Sequence, residues 1–173
     1  MPTRQFQASY PTSRVGAFLK FHRQRNLLTL EEASHTLNMV PKHIQDIEKQ
    51  NIDNVKSFTM SNICNAFNQT VEDYYSFDVN TKIHIVPEYV WDFITLKYSD
   101  KRGMPNALSR KSGVSIKVIR ELRHPDKGSQ PRPSILLRLC KGVKSSPHEL
   151  TDYSTVRYYV AHPHLEMPKF YTP

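Results

Sequence analysis

The chain has 173 residues, 38% of them hydrophobic and 23% charged, with a net charge of +8. That balance suits one globular domain or two small ones and excludes a disordered polyelectrolyte. No apolar run approaches the length of a membrane-crossing helix, and the opening stretch MPTRQFQASYPTSR has no apolar centre, so neither a span nor a secretory leader is expected.

A cytoplasmic location follows as the expectation, and with it two reduced cysteines, Cys64 and Cys140, rather than a disulfide. Neither cysteine has a second thiol or a histidine at ligand spacing, so no metal and no cofactor are expected. The charge is unevenly placed. Residues 1–78 hold eight Lys/Arg and eight Asp/Glu, whereas residues 79–173 hold sixteen and eight, so the whole excess lies in the second half. A basic excess of this kind suits a polyanionic partner.

In chain order, residues 1–12 read as an N-terminal arm. Val15, Phe18 and Leu19 then follow the i, i+3, i+4 spacing of one buried helical stripe. Thr29 and Glu32 form a capping box that starts a second helix ending near Leu37. Asn38 tolerates the left-handed conformation of a tight turn, and Pro41 suits the first turn of the next helix, whose buried edge is Ile44 and Ile47. A fourth helix carries Met60, Ile63, Cys64 and Phe67, and TVED starts a short fifth, closing a first domain over 13–78.

The linker, 79–87, contains KIHIV, an alternating strand candidate. A second domain over 88–152 repeats the layout. Shifted by 75 places, Val15, Phe18, Leu19, Ile44 and Ile47 fall on Val90, Phe93, Ile94, Ile119 and Leu122. Shifted by 76, Ile63, Cys64 and Phe67 fall on Leu139, Cys140 and Val143, so one extra residue enters the loop between. Gly113 supplies the turn, Ser115 caps the helix after it, and SSPHE starts the last helix with a Ser cap, a Pro and a Glu partner. The tail, 153–173, offers TVRYYVA as a strand. It is expected to pair with KIHIV or with its twin in a dimer, and the proline-rich end to be extended. The fold expected is mostly α, two tandem four- to five-helix domains with a small strand pair from linker and tail.

Two helices around a short turn make a helix-turn-helix. Both copies resemble the lambda-repressor-like (Cro or XRE type) DNA-binding family. The second carries Ser109, the turn Gly113-Val114-Ser115 and Ile119; the first matches through Ser34, Asn38, Met39, Ile44, Ile47 and Glu48. Departures are Leu30 and Pro105 at the family's phosphate-contacting Gln, Val40 at its Ser, and Ser112 at its buried Leu. The resemblance implies a docking mode with the second motif helix in the major groove. Ile116, Lys117, Val118, Arg120 and Glu121 would face the bases, the N-cap Ser115 would join them in contacting DNA, and Arg110, Lys111, Lys127 and Arg132 would hold phosphates. In the first copy the matching positions include Lys42, His43 and Gln45, with Asp46 and Glu48 opposing phosphate.

The function expected is sequence-specific binding of double-stranded DNA by a transcriptional regulator. The two motifs either act on half-sites roughly 34 Å apart or sit in a homodimer whose neutral module pairs subunits. The alternative is a protein-interaction module, an antitoxin or antiactivator, binding a partner through the first domain or through the tail aromatics Tyr153, Tyr158, Tyr159, Phe170 and Tyr171. Enzymatic activity is not expected: no phosphate loop, H-E-x-x-H or G-x-S-x-G occurs, and Glu31/Glu32 and Glu72/Asp73 stand where helix starts favour negative charge. His162 and His164 lack further ligands in the sequence pattern.

Overall fold

The computed structural model describes residues 9–98, 102–124 and 130–172. The fold is mostly helical with one small antiparallel strand pair. Contacts divide it into two compact units, the first comprising 1–24, 28–81 and 168–172, the second 25–27 and 82–167.

In the first unit, strand β1 (Ser9–Pro11) precedes α1 (Thr12–Arg25), α2 (Leu30–Leu37) and α3 (Pro41–Glu48). Strand β2 (Asn54–Lys56) then leads into α4 (Ser57–Ala66) and α5 (Val71–Ser76). The core is made by Val15, Phe18, Leu19, Ile44, Ile47, Met60 and Ile63, the residues whose helical spacing predicted it, with Leu37 beside them. Local chemistry sets the helix ends as expected. Thr29 and Glu32 satisfy each other's backbone donors, and Thr70 and Asp73 do the same for α5. Asn38 ends α2 at φ 51°, and Pro41 opens α3. Arg14 closes the far end of α5 by donating to the carbonyls of Tyr74, Tyr75 and Phe77. Gly16 is required by packing: a Cβ there would stand 2.5 Å from the Ile47 carbonyl oxygen, so α1 and the end of α3 touch backbone to backbone.

The second unit holds α6 (Pro87–Lys97), α7 (Met104–Ser112), α8 (Ile116–Glu121), α9 (Pro133–Gly142) and α10 (Pro147–Ala161). The elements keep the sequence offset. Helices α1, α3, α4 and α5 begin at 12, 41, 57 and 71, and α6, α8, α9 and α10 at 87, 116, 133 and 147, the shift growing by one after α8. Positive-φ residues recur in phase as well, Asn38 with Gly113 and Asn68 with Lys144. The core gathers Val90, Phe93, Ile94, Leu108, Ile119, Leu136, Leu139 and Leu150, joined by Leu27. Arg25 forms a two-pronged pair with Asp152 at 2.8 and 2.6 Å.

The strand pair is not where the sequence pattern put it. It joins the N-terminal segment to 54–56, with Tyr10 opposite Val55, and involves neither linker nor tail. TVRYYVA lies inside helix α10. The reason is visible in what α10 buries: Leu150, Thr151, Ser154, Thr155 and Tyr159 form a helical stripe made largely of hydroxyls. Ser154 and Thr155 accept from the backbone N–H groups of Val86 and His84, each at 3.0 Å, so the linker's donors are taken by side chains instead of a strand. Residues 1–8, most of the expected arm, lie outside the described residues.

Candidate nucleic-acid interface

The turn between α7 and α8 is closed by its own hydrogen bonds. Gly113 adopts φ 68°, which only glycine takes without a Cβ penalty, and its N–H donates to the Ser109 carbonyl at 2.9 Å. The Ser109 hydroxyl donates to the Val114 carbonyl at 2.7 Å, and the Val114 N–H donates to the Ser112 hydroxyl at 3.2 Å. Ser115 has extended backbone and accepts from the Val118 N–H at 3.4 Å, an N-cap. Val114, Ile119 and Leu122 are buried beneath it. Three buried anchors fix the rotation of α8 about its axis, so the opposite side chains must face solvent.

Those opposite residues are the expected ones. Lys117 has 84% of its side chain exposed and lies 4.0 Å from Glu121, a loose i,i+4 pair. Arg120 is exposed; Ile116, Val118 and Glu121 are half-buried at the flanks, and Ser115 is exposed. Arg110 and Lys111 are exposed in the last turn of α7, where cations also oppose the helix dipole. The Lys111 ammonium lies 5.0 Å from the Tyr98 ring centre. Arg132 is exposed at the N-cap of α9. Lys127 lies outside the described residues.

Two cations here escaped the sequence reading. Arg138, on α9, donates to the Ser112 carbonyl at 3.2 Å and also to the Gly113 carbonyl. It thereby covers the turn's unpaired acceptors and leaves a guanidinium beside the head of α8. Arg123, exposed just past α8, stands 5.2 Å from the Trp91 ring. Neither had a local signal, because each partner lies 25 or more residues away in the chain.

The corresponding face of the first unit is built differently. Lys42 is exposed but paired with Asp46 at 2.8 Å, and Asn51 donates to the same carboxylate at 2.9 Å. Those hydrogen bonds, that from Lys42 first, hold the Asp46 carboxyl below its ordinary value. Glu48 is clamped by Arg23 at 2.6 and 2.8 Å. His43 and Gln45 are half-buried. Charge on α3 is therefore satisfied within the unit, and the cation that could meet a phosphate already has a carboxylate.

Elsewhere, Cys64 and Cys140 are free and buried, and burial raises their thiols to about 11 and about 12. The rings of His162 and His164 stand 5.8 Å apart in a ladder with Tyr158 and His84. Among the described residues no group of three or more His, Cys, Asp or Glu could hold a metal ion, and no helix is long and apolar enough to cross a membrane.

No protein-family model matches the chain, and no curated protein or solved structure compared with it matches either.

Proposed function

We propose that the protein is a sequence-specific DNA-binding regulator of the lambda-repressor-like type, acting in the cytoplasm, with α8 as the element that enters the major groove of double-stranded DNA. One observation carries this: Ile119 is fully buried while Lys117 and Arg120 project from the same short helix into solvent, at the end of a turn locked by hydrogen bonds. A rigid rod with outward cations is what base-edge readout needs. Arg110, Lys111, Arg132 and Arg138 supply positive charge for the flanking phosphates.

The first unit takes a different part. Because its α3 charges are paired internally, it is the better candidate for contact with protein, either a second copy or another regulator. That observation keeps the interaction-module reading alive as a role of the first unit beside DNA binding by the second.

The test is selection of bound fragments from random DNA, followed by titration of the winning site. Lys117→Ala and Arg120→Ala are each expected to cost about 1–3 kcal/mol and to relax preference at particular positions. A failure to enrich any motif, with binding equal on all sequences, would leave the basic surface as a non-specific one and end the proposal.

A further inference from the structure

The second unit contains a cleft of about 350 Å³ lined by the ends of α6 and α9 and by α7. Ala107 and Gly142 are too small to fill it, and Tyr98 stands on its wall. Three exposed lysines border it: Lys97, Lys111 and Lys144. The Lys111 ammonium lies 5.0 Å from the Tyr98 ring centre. Lys97 is shared with the Glu149 carboxylate at 3.2 Å. Among the described residues the Lys144 ammonium has no hydrogen-bond or ion-pair partner.

Lysines near helix C-termini are ordinary, because they oppose the dipole. Two observations set these three apart. The repeat provides the first: at the matching places of the first unit stand His22, Thr36 and Asn68, so the shared fold requires lysine at none of them. The second is the backbone of Lys144, at φ 55°. Asn adopts that left-handed conformation more cheaply, as Asn68 does at φ 52°. A lysine kept there against its backbone preference points to a use for its ammonium. Charge then selects the ligand. Three ammonium groups, less the Glu149 carboxylate and about half a charge at each of the two helix ends, leave the cleft at about +1.

We infer that this cleft binds a small phosphate-bearing anion, held by Lys97, Lys111 and Lys144. Its volume lies at the lower end of the roughly 300–1,000 Å³ of small-molecule sites. Ammonium groups are compact charges with rotatable donors, which suits phosphate oxygens approached from several sides. A backbone phosphate of DNA offers the same chemistry, but a hollow walled by three helices fits a compact anion better than the rail of a duplex.

This goes beyond the DNA reading and stands apart from it, since the first titration contains no nucleic acid. Inorganic pyrophosphate is titrated into the full chain by calorimetry at constant ionic strength. One saturable site per chain is expected. Lys144→Asn and Lys111→Gln should each weaken it about tenfold or more, whereas Lys20→Ala and Lys49→Ala, at exposed positions of the first unit, should leave it unchanged. Lys144→Asn should keep or raise the urea midpoint, so that lost affinity is not lost folding. A parallel titration with duplex DNA separates the two sources of phosphate, and there Lys144→Asn should change nothing. Three results overturn the inference: no saturation up to about 10 mM pyrophosphate, an equal loss in the Lys20 and Lys49 variants, or a Lys144→Asn effect confined to the duplex.

Discussion

Gly113 and Asn38 occupy the same place in the two units, at φ 68° and 51°, and they show how much one backbone angle decides. Substituting Ala for Gly113 puts a Cβ in the left-handed region and 2.8 Å from the Arg138 guanidinium. The expected loss is about 1–2 kcal/mol in urea unfolding, and the proposed DNA binding should weaken as the Arg138 side chain shifts off the turn. Gly16→Ala should be worse than a helix interior normally allows, about 1–3 kcal/mol destabilising, because the obstacle is the Ile47 carbonyl and not a flexible side chain. If Gly16→Ala left the urea midpoint unchanged, the close approach of α1 to α3 would be wrong. The turn residues were legible in the sequence because Gly and Asn are the residues that adopt positive φ cheaply. Lys144, at φ 55°, was not legible, since nothing about a lysine announces that backbone; only its place after α9 imposes it.

At the scale of the element, capping was readable and strands were not. The Thr29–Glu32 and Ser146–Glu149 boxes follow from side chains three residues apart, so they survive any tertiary context. Thr29→Ala is expected to cost about 1 kcal/mol, read from the shift in denaturant midpoint at constant slope. Glu149 also gives a pH signature. Hydrogen bonds from the Ser145 hydroxyl, the Ser146 N–H and Lys97 hold its carboxyl down at about 2, against an ordinary 4.5. A carboxyl depressed in the folded state contributes stability that is complete above 4.5 and lost as pH falls towards 2. The gap in stability between the wild type and Glu149→Gln should therefore narrow across that window. His84 runs the other way. Burial first, then the charges of Lys82 and His162, lower its affinity for a proton below that of the unfolded chain. Stability should fall as pH drops below 6.5, less so in His84→Gln. The start of α10 is legible in SSPHE, but its second half, TVRYYVA, has strand-like chemistry in Val156, Tyr158, Tyr159 and Val160. Its buried face uses Thr and Ser, which an apolar pattern does not register, and their hydroxyls bond to backbone of segments far off in the chain.

For the molecule as a whole, charge is the property that governs any polyanion contact. Under the proposed function, the basic excess of the second half predicts steep salt dependence of the affinity for DNA. On the same reading, Arg132→Ala should weaken DNA binding equally on all sequences and flatten the salt slope by about 1, unlike changes at the proposed base-reading positions on α8. Both thiols should resist a thiol reagent in the native protein and react together on unfolding, since burial has raised them to about 11 and about 12. Early labelling of Cys64 or Cys140 would show that its unit opens locally. The recurring apolar positions, the capping boxes, the two turns and the uneven charge were determined by residue type and spacing alone, because each is a short-range relation that the chain carries with it. The pairing of β1 with β2, the helical state of the tail, the Arg138 bridge, the internal ion pairs of α3 and the seating of Phe170 against Phe21 were decided only by tertiary structure. Each joins residues distant in sequence, and which partners meet is a consequence of the packed core and not of any local preference.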